Sequence, residues 1–313
     1  MAALEENARP ILARFWRYQG ERFPVAKNGL LIAAFASSAV CLSALLRGQT
    51  AFPLWGVFLS AFAILFGFFL QLRIADEFKD AETDRAHRPE RPVPRGLVSL
   101  RELALLGVAT GLCQVVIATS LGLPLLAILA LVWVYMALMT AEFFAPDWLQ
   151  ARPAVYMVSH MAIMPLIDLF ATACDWLPTV GAPPAGIYWF LLLSFFNGLV
   201  IEIGRKTWAP SMEREGVESY SSAWGLRRAL GFWLAAATGG FVLALTVARQ
   251  IDFLLPVAVI LFAFLALMAV TAKRFLEEQS EKRAKATETL AGLWVFFNYL
   301  LLGLVPMTAR VLT

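Results

Sequence analysis

Residues 73–99 read RIADEFKDAETDRAHRPERPVPRGLVS, separate two long apolar segments, and contain six acidic and six basic side chains. If the preceding helix continues through this stretch, Asp76 and Asp80 lie one turn apart. Glu77 and Asp84 then fall on the same face as Asp80. Like charges at that spacing repel, whereas Mg²⁺ takes oxygen ligands and keeps positions open for substrate phosphates. The pattern therefore predicts a magnesium site at a membrane edge, against the alternative of a solvated charged loop.

Two adjoining patterns in this stretch resemble a known motif. DExxDxxxD, which begins at Asp76, and RPxRPxPxGxxS, which begins at Arg88, are similar to the first aspartate-rich motif of the UbiA-type intramembrane prenyltransferases. That family usually has NDxxDxxxD, so Asp76 stands in place of the asparagine and Glu77 in place of the first aspartate. Asp80 and Asp84 match. The resemblance implies that Mg²⁺ is held here on the diphosphate of an isoprenoid donor, by Asp76, Glu77, Asp80 and Asp84.

Several basic residues have the chemistry to bind that diphosphate. Arginine forms paired hydrogen bonds with phosphate oxygens, and lysine provides a point charge. We expect the donor to be bound by Arg73, Arg88, Arg91, Arg205 and Lys206. With the metal, these residues would stabilise the charge that grows on the departing diphosphate, which leaves an allylic cation for an acceptor. We therefore assign catalysis to Asp76, Asp80, Asp84 and Arg88.

The composition indicates a polytopic helical membrane protein. Of the 313 residues, 60% are hydrophobic and 16% are charged, and the mean hydropathy is +0.69. Apolar runs of the length that spans a bilayer recur along the chain. The candidate spans are residues 29–46, 53–73, 102–121, 124–144, 155–174, 186–204, 229–248, 253–272 and 289–309. The predicted fold is an all-α membrane bundle of about nine transmembrane helices within residues 28–313, and the net charge of +3 gives no reason to expect nucleic acid.

Residues 1–27 precede the first predicted span and differ from it in character. They are charged throughout and have no short apolar core or small-residue cleavage site, which argues against a secretory signal. Four apolar side chains form a helical stripe before the proline at position 24: Ile11, Leu12, Phe15 and Trp16. This pattern predicts an amphipathic helix on the cytoplasmic surface of the membrane.

Lysine and arginine are distributed asymmetrically among the loops. Of the 26 such residues, 23 lie before the first span or in alternate loops, and the others are Arg47, Arg249 and Arg310. Because basic residues stay on the cytoplasmic side, we expect the N-terminus inside and, after nine spans, the C-terminus outside. We expect the protein to reside in a bacterial inner membrane.

A second charged loop, residues 202–225, reads EIGRKTWAPSMEREGVESYSSAWG. The UbiA-type family has its second aspartate-rich motif here, but this loop contains no aspartate. It offers Glu202, Glu213, Glu215 and Glu218. Glu202 is the best candidate for an additional Mg²⁺ ligand, since Pro210 interrupts the helix that leads to the others. The alternative is that these glutamates are polar groups at a membrane surface.

Ionisable groups inside the predicted spans are costly and therefore informative. Asp168 lies about 12 Å beyond His160 along a helix axis, so their side chains are not expected to touch. Tyr156 and His160 could face a reaction cavity. Asn197 lies on the inner face of its span beside Glu202, and Glu142 closes another span near the cytoplasm. Hydrogen bonding between helices accounts for each of these residues equally well.

The resemblance predicts a Mg²⁺-dependent prenyltransferase. It would move an isoprenoid group from a polyprenyl diphosphate to a lipophilic, preferably aromatic, acceptor, with membrane lipids around both. Related alternatives are cyclisation of the donor and transfer of a phosphoribosyl group to a lipid phosphate. A transporter is the alternative from another class, since Asp168 and His160 could mark an ion path. The acidic cluster lies at the membrane rim rather than the midplane, which favours the enzyme.

Overall fold

Helices account for most of residues 10–312, the part of the chain that the computed structural model describes. They are α1 (Ile11–Arg22), α2 (Val25–Leu46), α3 (Trp55–Lys79), α4 (Ala81–His87), α5 (Leu100–Leu121), α6 (Leu125–Thr140), α7 (Pro146–Gln150), α8 (Pro153–Met161), α9 (Ile163–Val180), α10 (Ile187–Arg205), α11 (Tyr220–Trp224), α12 (Leu226–Gln250), α13 (Leu254–Glu277), α14 (Glu281–Leu302) and α15 (Leu304–Leu312). Between residues 10 and 312 there is no strand, only an isolated bridge from Arg214 to Val217. The predicted all-α membrane bundle is confirmed.

Eight helical segments of the described chain are long and apolar enough to cross a membrane, with α8–α9 and α14–α15 each taken as one. The shorter α6 has 16 residues and is about 24 Å long, less than the roughly 30 Å of a hydrocarbon core. It starts beside the far end of α5, and Glu142, just after it, contacts Lys79 at the end of α3. Helix α6 therefore returns across the bundle, in agreement with about nine predicted spans.

Proline interrupts two of the long segments. Pro165 cannot donate a hydrogen bond to the carbonyl one turn earlier, which separates α8 from α9 at Ala162. Pro306 has the same effect between α14 and α15, where the chain breaks at Gly303. A Cβ atom at Gly303 would collide with the backbone oxygen of Ser38. Glycine therefore allows α2 to pack directly against this break.

The core of the bundle lies among α2, α9, α10 and α14, whereas α5 and α13 turn most of their surface outward. Phe170 and Trp294 are fully buried in this core. On the outer helices, Leu112 and Phe262 are more than half exposed. Exposed apolar side chains of this kind suit contact with lipid tails.

Helix α1 lies against the start of α5 and the loop that precedes it. Arg14 pairs with Glu102 at 2.5 Å, and Glu21 pairs with Arg95 at 2.8 Å. On the other side of the helix, Leu12 is 81% exposed, and Ile11 and Trp16 are each more than half exposed. A helix is therefore formed here, and its role as an amphipathic helix on the membrane surface stays a prediction. The first nine residues of the predicted segment 1–27 lie outside the described residues.

The end of the bundle away from the charged loops has its own polar contacts. Arg47 pairs with Asp175 at 2.7 Å, and the hydroxyl of Ser43 donates to the same carboxylate over 2.6 Å. Arg310 of α15 donates to the backbone oxygen of Ile251 over 3.0 Å. Helix α15 thus lies at the end opposite the first motif, as an odd number of spans requires.

Candidate active site

The first motif leaves the bundle as the end of α3 and continues into α4. The amide of Asp80 donates to the backbone oxygen of Asp76 over 2.9 Å, and the amide of Asp84 donates to that of Asp80 over 2.7 Å. The chain therefore keeps a helical path although α3 ends at Lys79. Asp76, Asp80 and Asp84 follow each other at intervals of one turn, as the sequence predicts.

Glu77 lies away from these three carboxylates. Its side chain is 1% exposed and accepts a hydrogen bond from Arg22 of α1 over 2.5 Å, with Arg73 at 3.6 Å. Consecutive helical residues point about 100° apart, and α1 packs on the side that Glu77 occupies. The structure does not bring Glu77 into the acidic cluster, and its role as a metal ligand stays a prediction.

Asp76 and Asp80 are the two carboxylates of the predicted metal site in the first motif that are not buried. Partial burial raises the pKa of Asp80 above its usual value, and the charges of Asp76 and Asp84 raise it further. A divalent cation would relieve this repulsion. No group of three or more acidic, histidine or cysteine side chains among residues 10–312 is arranged to hold a metal. Mg²⁺ does not need one, because one or two carboxylates, water and substrate phosphates commonly complete its coordination.

Asp84 fixes the arginines that follow it. It is buried, and Arg91 donates to one of its oxygens over 2.5 Å while Arg88 lies 3.5 Å from the other. Arg73 lies 3.3 Å from Asp76 on the preceding turn. Three of the basic residues predicted to bind diphosphate are thus held close to the acidic cluster.

Glu202, at the end of α10, holds the other two predicted cations. It is buried, accepts a hydrogen bond from Arg205 over 2.6 Å, and lies 3.1 Å from Lys206. The hydroxyl of Tyr220 donates to it over 3.5 Å. These contacts make Glu202 a residue that positions Arg205 and Lys206. Its role as a metal ligand stays a prediction.

The rest of the second loop folds back onto the first. Glu213 accepts hydrogen bonds from the hydroxyls of Ser219, over 2.7 Å, and Ser221, over 2.8 Å. The backbone of Gly216 has φ +73°, and a Cβ atom there would lie 2.6 Å from Nε2 of His87. Glycine therefore permits both the turn and the close contact between the loops.

A polar cluster, partly buried, surrounds Lys79, which directly precedes Asp80. The ammonium of Lys79 contacts the hydroxyl of Tyr156 and lies 2.5 Å from Glu142 and 3.4 Å from Nε2 of His160. Nδ1 of His160 lies 2.9 Å from the backbone oxygen of Tyr156. Because a carbonyl oxygen only accepts, Nδ1 carries a hydrogen. In the neutral ring, Nε2 is then the nitrogen that can accept a hydrogen bond.

Tyr156 connects the first motif with the second loop. Its ring stacks on that of His160 with the centroids 4.0 Å apart. The ammonium of Lys206 lies 6.0 Å from the Tyr156 ring centroid and 5.8 Å from that of Tyr220. Lys79, whose ammonium contacts the Tyr156 hydroxyl, directly precedes Asp80. The carboxylates of the first motif and the cations of the second loop therefore belong to one site.

Glu142 is held in place by an unusual stretch of backbone. The φ angles of Glu142, Phe143 and Phe144 are 48°, 50° and 59°. This left-handed region costs residues other than glycine roughly 1–2 kcal/mol each. Phe143 packs edge-on against His160, with centroids 5.9 Å apart. Strain of this kind is concentrated at functional sites, and here it brings Glu142 against Lys79.

The polar groups deeper in the bundle belong to helix packing. Asp168 accepts a hydrogen bond from the hydroxyl of Tyr299, which joins α9 to α14. The side-chain amide of Asn197 is buried, and neither of its polar atoms has a hydrogen-bond partner in the described part of the chain. The contact of Asp168 favours the helix–helix alternative over an ion path, whereas no such contact accounts for Asn197.

Most of the chain matches a single family of proteins. The model of the UbiA prenyltransferase family matches residues 22–301, which include both charged loops. The chain belongs to the UbiA prenyltransferase family. The resemblance that the first motif carries is thus confirmed.

Comparisons with individual proteins agree with the family. The chain is 32% identical over 128 residues to the digeranylgeranylglyceryl phosphate synthase of Methanopyrus kandleri, and the alignment covers 41% of this chain and 43% of the synthase. A solved structure of a digeranylgeranylglyceryl phosphate synthase aligns with 96% of this chain and over 100% of its own length, with a TM-score of 0.63 and 16% identity. A UbiA homologue from Aeropyrum pernix K1 covers 90% of this chain, with 96% of its own length matched, a TM-score of 0.64 and 13% identity. The two structures support the fold.

Sequence reasoning gave no role to two residues of the site. Lys79 is the only base between Asp76 and Asp84, and that position could have drawn attention to it. Arg22 gives no such signal, because its partner Glu77 lies 55 positions away. Contacts over such distances depend on packing that local spacing does not reveal.

Proposed function

We propose that this protein transfers an isoprenoid group from a polyprenyl diphosphate to a lipid acceptor in a Mg²⁺-dependent reaction. The observation that supports it is that the two charged loops meet at Tyr156, at one end of an apolar bundle. Tyr156 contacts Lys79, which lies between Asp76 and Asp80, and the ammonium of Lys206 lies 6.0 Å from the Tyr156 ring centroid. Carboxylates suit the metal, cations suit phosphate oxygens, and apolar helices suit the isoprenoid tail.

Each group has a defined part in this proposal. Asp76 and Asp80 would hold the ion, which when bound would supply Lewis-acid stabilisation of the diphosphate oxygens. Arg88 and Arg91, which Asp84 holds in place, would donate hydrogen bonds to the diphosphate as its bond to the isoprenoid carbon breaks and negative charge grows.

The second loop would contact the diphosphate from the other side. Arg205 would share its charge, and Glu202 would keep the guanidinium in position. Because preorganised charges need no rearrangement during the reaction, this arrangement would favour departure of the diphosphate.

The lipid acceptor is supported by the relative from Methanopyrus kandleri, whose name describes a glyceryl phosphate lipid with two geranylgeranyl groups. A glyceryl phosphate lipid that keeps a free hydroxyl is the corresponding acceptor. The aromatic acceptor that the sequence predicts is the competing possibility. Both would reach the site from the membrane, with the charged loops on the cytoplasmic side.

The experiment is a matrix of substrates with the purified full chain in lipid nanodiscs. Prenyl diphosphates of several lengths are combined with a hydroxyl-bearing glyceryl phosphate lipid or a hydroxylated aromatic acid, with Mg²⁺ or with EDTA. We expect Mg²⁺-dependent diphosphate release and a lipid product heavier by one prenyl unit. If only the aromatic acid is prenylated, the acceptor is aromatic and the proposed lipid acceptor is wrong. An absence of diphosphate release in every combination would contradict the enzyme.

A further inference from the structure

An apolar groove with a volume of about 260 Å³ opens between α8, α10, α11 and α12. Its lining includes Met157, Phe196, Ile203, Trp224 and Phe232. The rings at its rim are packed in fixed positions, since Trp224 stands edge-on to Phe232 with centroids 5.1 Å apart. The volume approaches the lower end of the range for small-molecule sites, about 300–1,000 Å³.

A polar pocket adjoins the groove and is built on the same helices. It is lined by Tyr156, Lys206, Ser219 and Tyr220, among others. Tyr156 directly precedes Met157 of the groove, and Tyr220 stacks on Trp224 with centroids 4.6 Å apart. Lys206 likewise follows Ile203 of the groove within one turn. The two cavities therefore form one amphipathic surface, polar at one end and apolar at the other.

The charges at the polar end favour an anion. Arg205 and Lys206 share the single carboxylate of Glu202, which leaves one positive charge in excess. Glu218 also lines the pocket but is exposed to solvent, where its charge is screened. Lys206, the cation that lines the pocket, is directed over the faces of two tyrosine rings.

We infer that this surface is the subsite of the acceptor: it binds a single-chain lipid phosphate, with the chain in the groove and the phosphate beside Lys206. The inference rests on the proposed function and adds a place for the second substrate. Tyr156 lines the polar pocket and contacts Lys79, which directly precedes Asp80. The head of the lipid would therefore lie next to the diphosphate of the donor.

Photolabelling tests the subsite without requiring turnover. The probe is a lysophosphatidic acid with a diazirine in its acyl chain, added to the full chain in nanodiscs of uncharged lipid. We expect mass spectrometry to find the label on residues that line the groove, such as Met157 and Trp224. Ala235→Trp fills the groove from α12 and should reduce this labelling about tenfold, whereas Val242→Trp, on the outer surface of the same helix, should not.

Two further arms make the result specific. Lys206→Met should reduce labelling by the phosphate probe and leave labelling by a monoacylglycerol diazirine, which has no phosphate, unchanged. Phe232→Ala removes one wall of the groove and should also reduce labelling, which keeps the test valid if Ala235→Trp does not fold. Labelling spread over the whole lipid-facing surface, or unchanged in both groove variants, would overturn the inference in favour of ordinary bilayer lipid.

Kinetics separate this inference from the proposed function. If the wild type turns over, Ala235→Trp should raise the KM for the lipid acceptor about tenfold and leave the KM for the diphosphate donor unchanged. Turnover with equal acceptor KM in Ala235→Trp and Val242→Trp would contradict the subsite alone. Absence of turnover in the wild type would contradict the proposed function, while the labelling would still decide whether the subsite exists.

Discussion

The carboxylates of the site differ in what they contact. Asp76 and Asp80 remain accessible beside the arginines, whereas Glu77 and Glu202 are buried and already paired with basic side chains. Glu77 neutralises Arg22, whose side chain is 11% exposed, and such a carboxylate is costly to release for a metal. Substitution of single carboxylates can therefore distinguish metal ligands from residues that position basic side chains.

Glu77→Gln tests the contact between α1 and α3. The substitution leaves Arg22, whose side chain is 11% exposed, without its charged partner. Breaking such a buried pair costs about 3–5 kcal/mol, so we expect a clear decrease in Tm by intrinsic tryptophan fluorescence. The Mg²⁺ concentration for half-maximal activity should not change.

The control for this variant is Glu82→Gln, which removes an exposed acid of α4 and should leave the Tm unchanged. A Glu77→Gln variant with an unchanged Tm and a loss of Mg²⁺ dependence would restore Glu77 as a metal ligand.

Glu202→Gln tests the second loop. If Glu202 positions Arg205 and Lys206, its loss should raise the KM for the donor about tenfold, while half-saturation by Mg²⁺ stays the same. Turnover is measured against donor and Mg²⁺ concentration separately. Glu215→Gln, an exposed glutamate of the same loop, should behave as the wild type. A large increase in the Mg²⁺ requirement of Glu202→Gln would instead show that Glu202 is a ligand.

At the scale of elements, the apolar runs predict the spans well because burial in lipid demands nearly continuous apolar sequence. The break between α8 and α9 could also be anticipated, since Pro165 cannot continue the hydrogen-bond ladder. The left-handed turn at 142–144 could not, because no glycine marks it. It exists through tertiary contacts such as that of Phe143 with His160.

Phe144→Gly tests the strain in that turn. Phe144 is 82% exposed and has φ 59°, so glycine would relieve strain with little loss of packing. Part of the gain is offset by the greater freedom of glycine in the unfolded chain, which leaves a stabilisation of up to about 1 kcal/mol. We expect a higher Tm. Phe143→Gly should lower it, because that ring packs on His160, and a decrease for both variants would contradict the account of strain.

At the scale of the whole molecule, the charged loops and the site occupy one end of the bundle, and α15 lies at the other. The number of spans and the position of the charged loops at one end of the bundle could be predicted from the sequence, because the membrane constrains both apolar runs and basic residues. The assembly of the site from both loops and the turn after α6 could not, because it depends on how the helices pack.

Reporter fusions test this topology. We expect fusions near residues 90, 215 and 280 to report the cytoplasm and a fusion at the C-terminus to report the outside, because 23 of the 26 basic residues lie before the first predicted span or in alternate loops. A cytoplasmic C-terminus would mean that one segment, most simply the short α6, does not cross.

The most direct test of the central claim is Mg²⁺-dependent binding of a prenyl diphosphate to the Asp80→Ala variant, measured by calorimetry with the full chain in nanodiscs. The account predicts that Asp80→Ala weakens binding on the order of a hundredfold in the presence of Mg²⁺, that the residual binding is unaffected by EDTA, and that Glu82→Gln binds as the wild type does. Equal, Mg²⁺-dependent binding by Asp80→Ala and the wild type would contradict it.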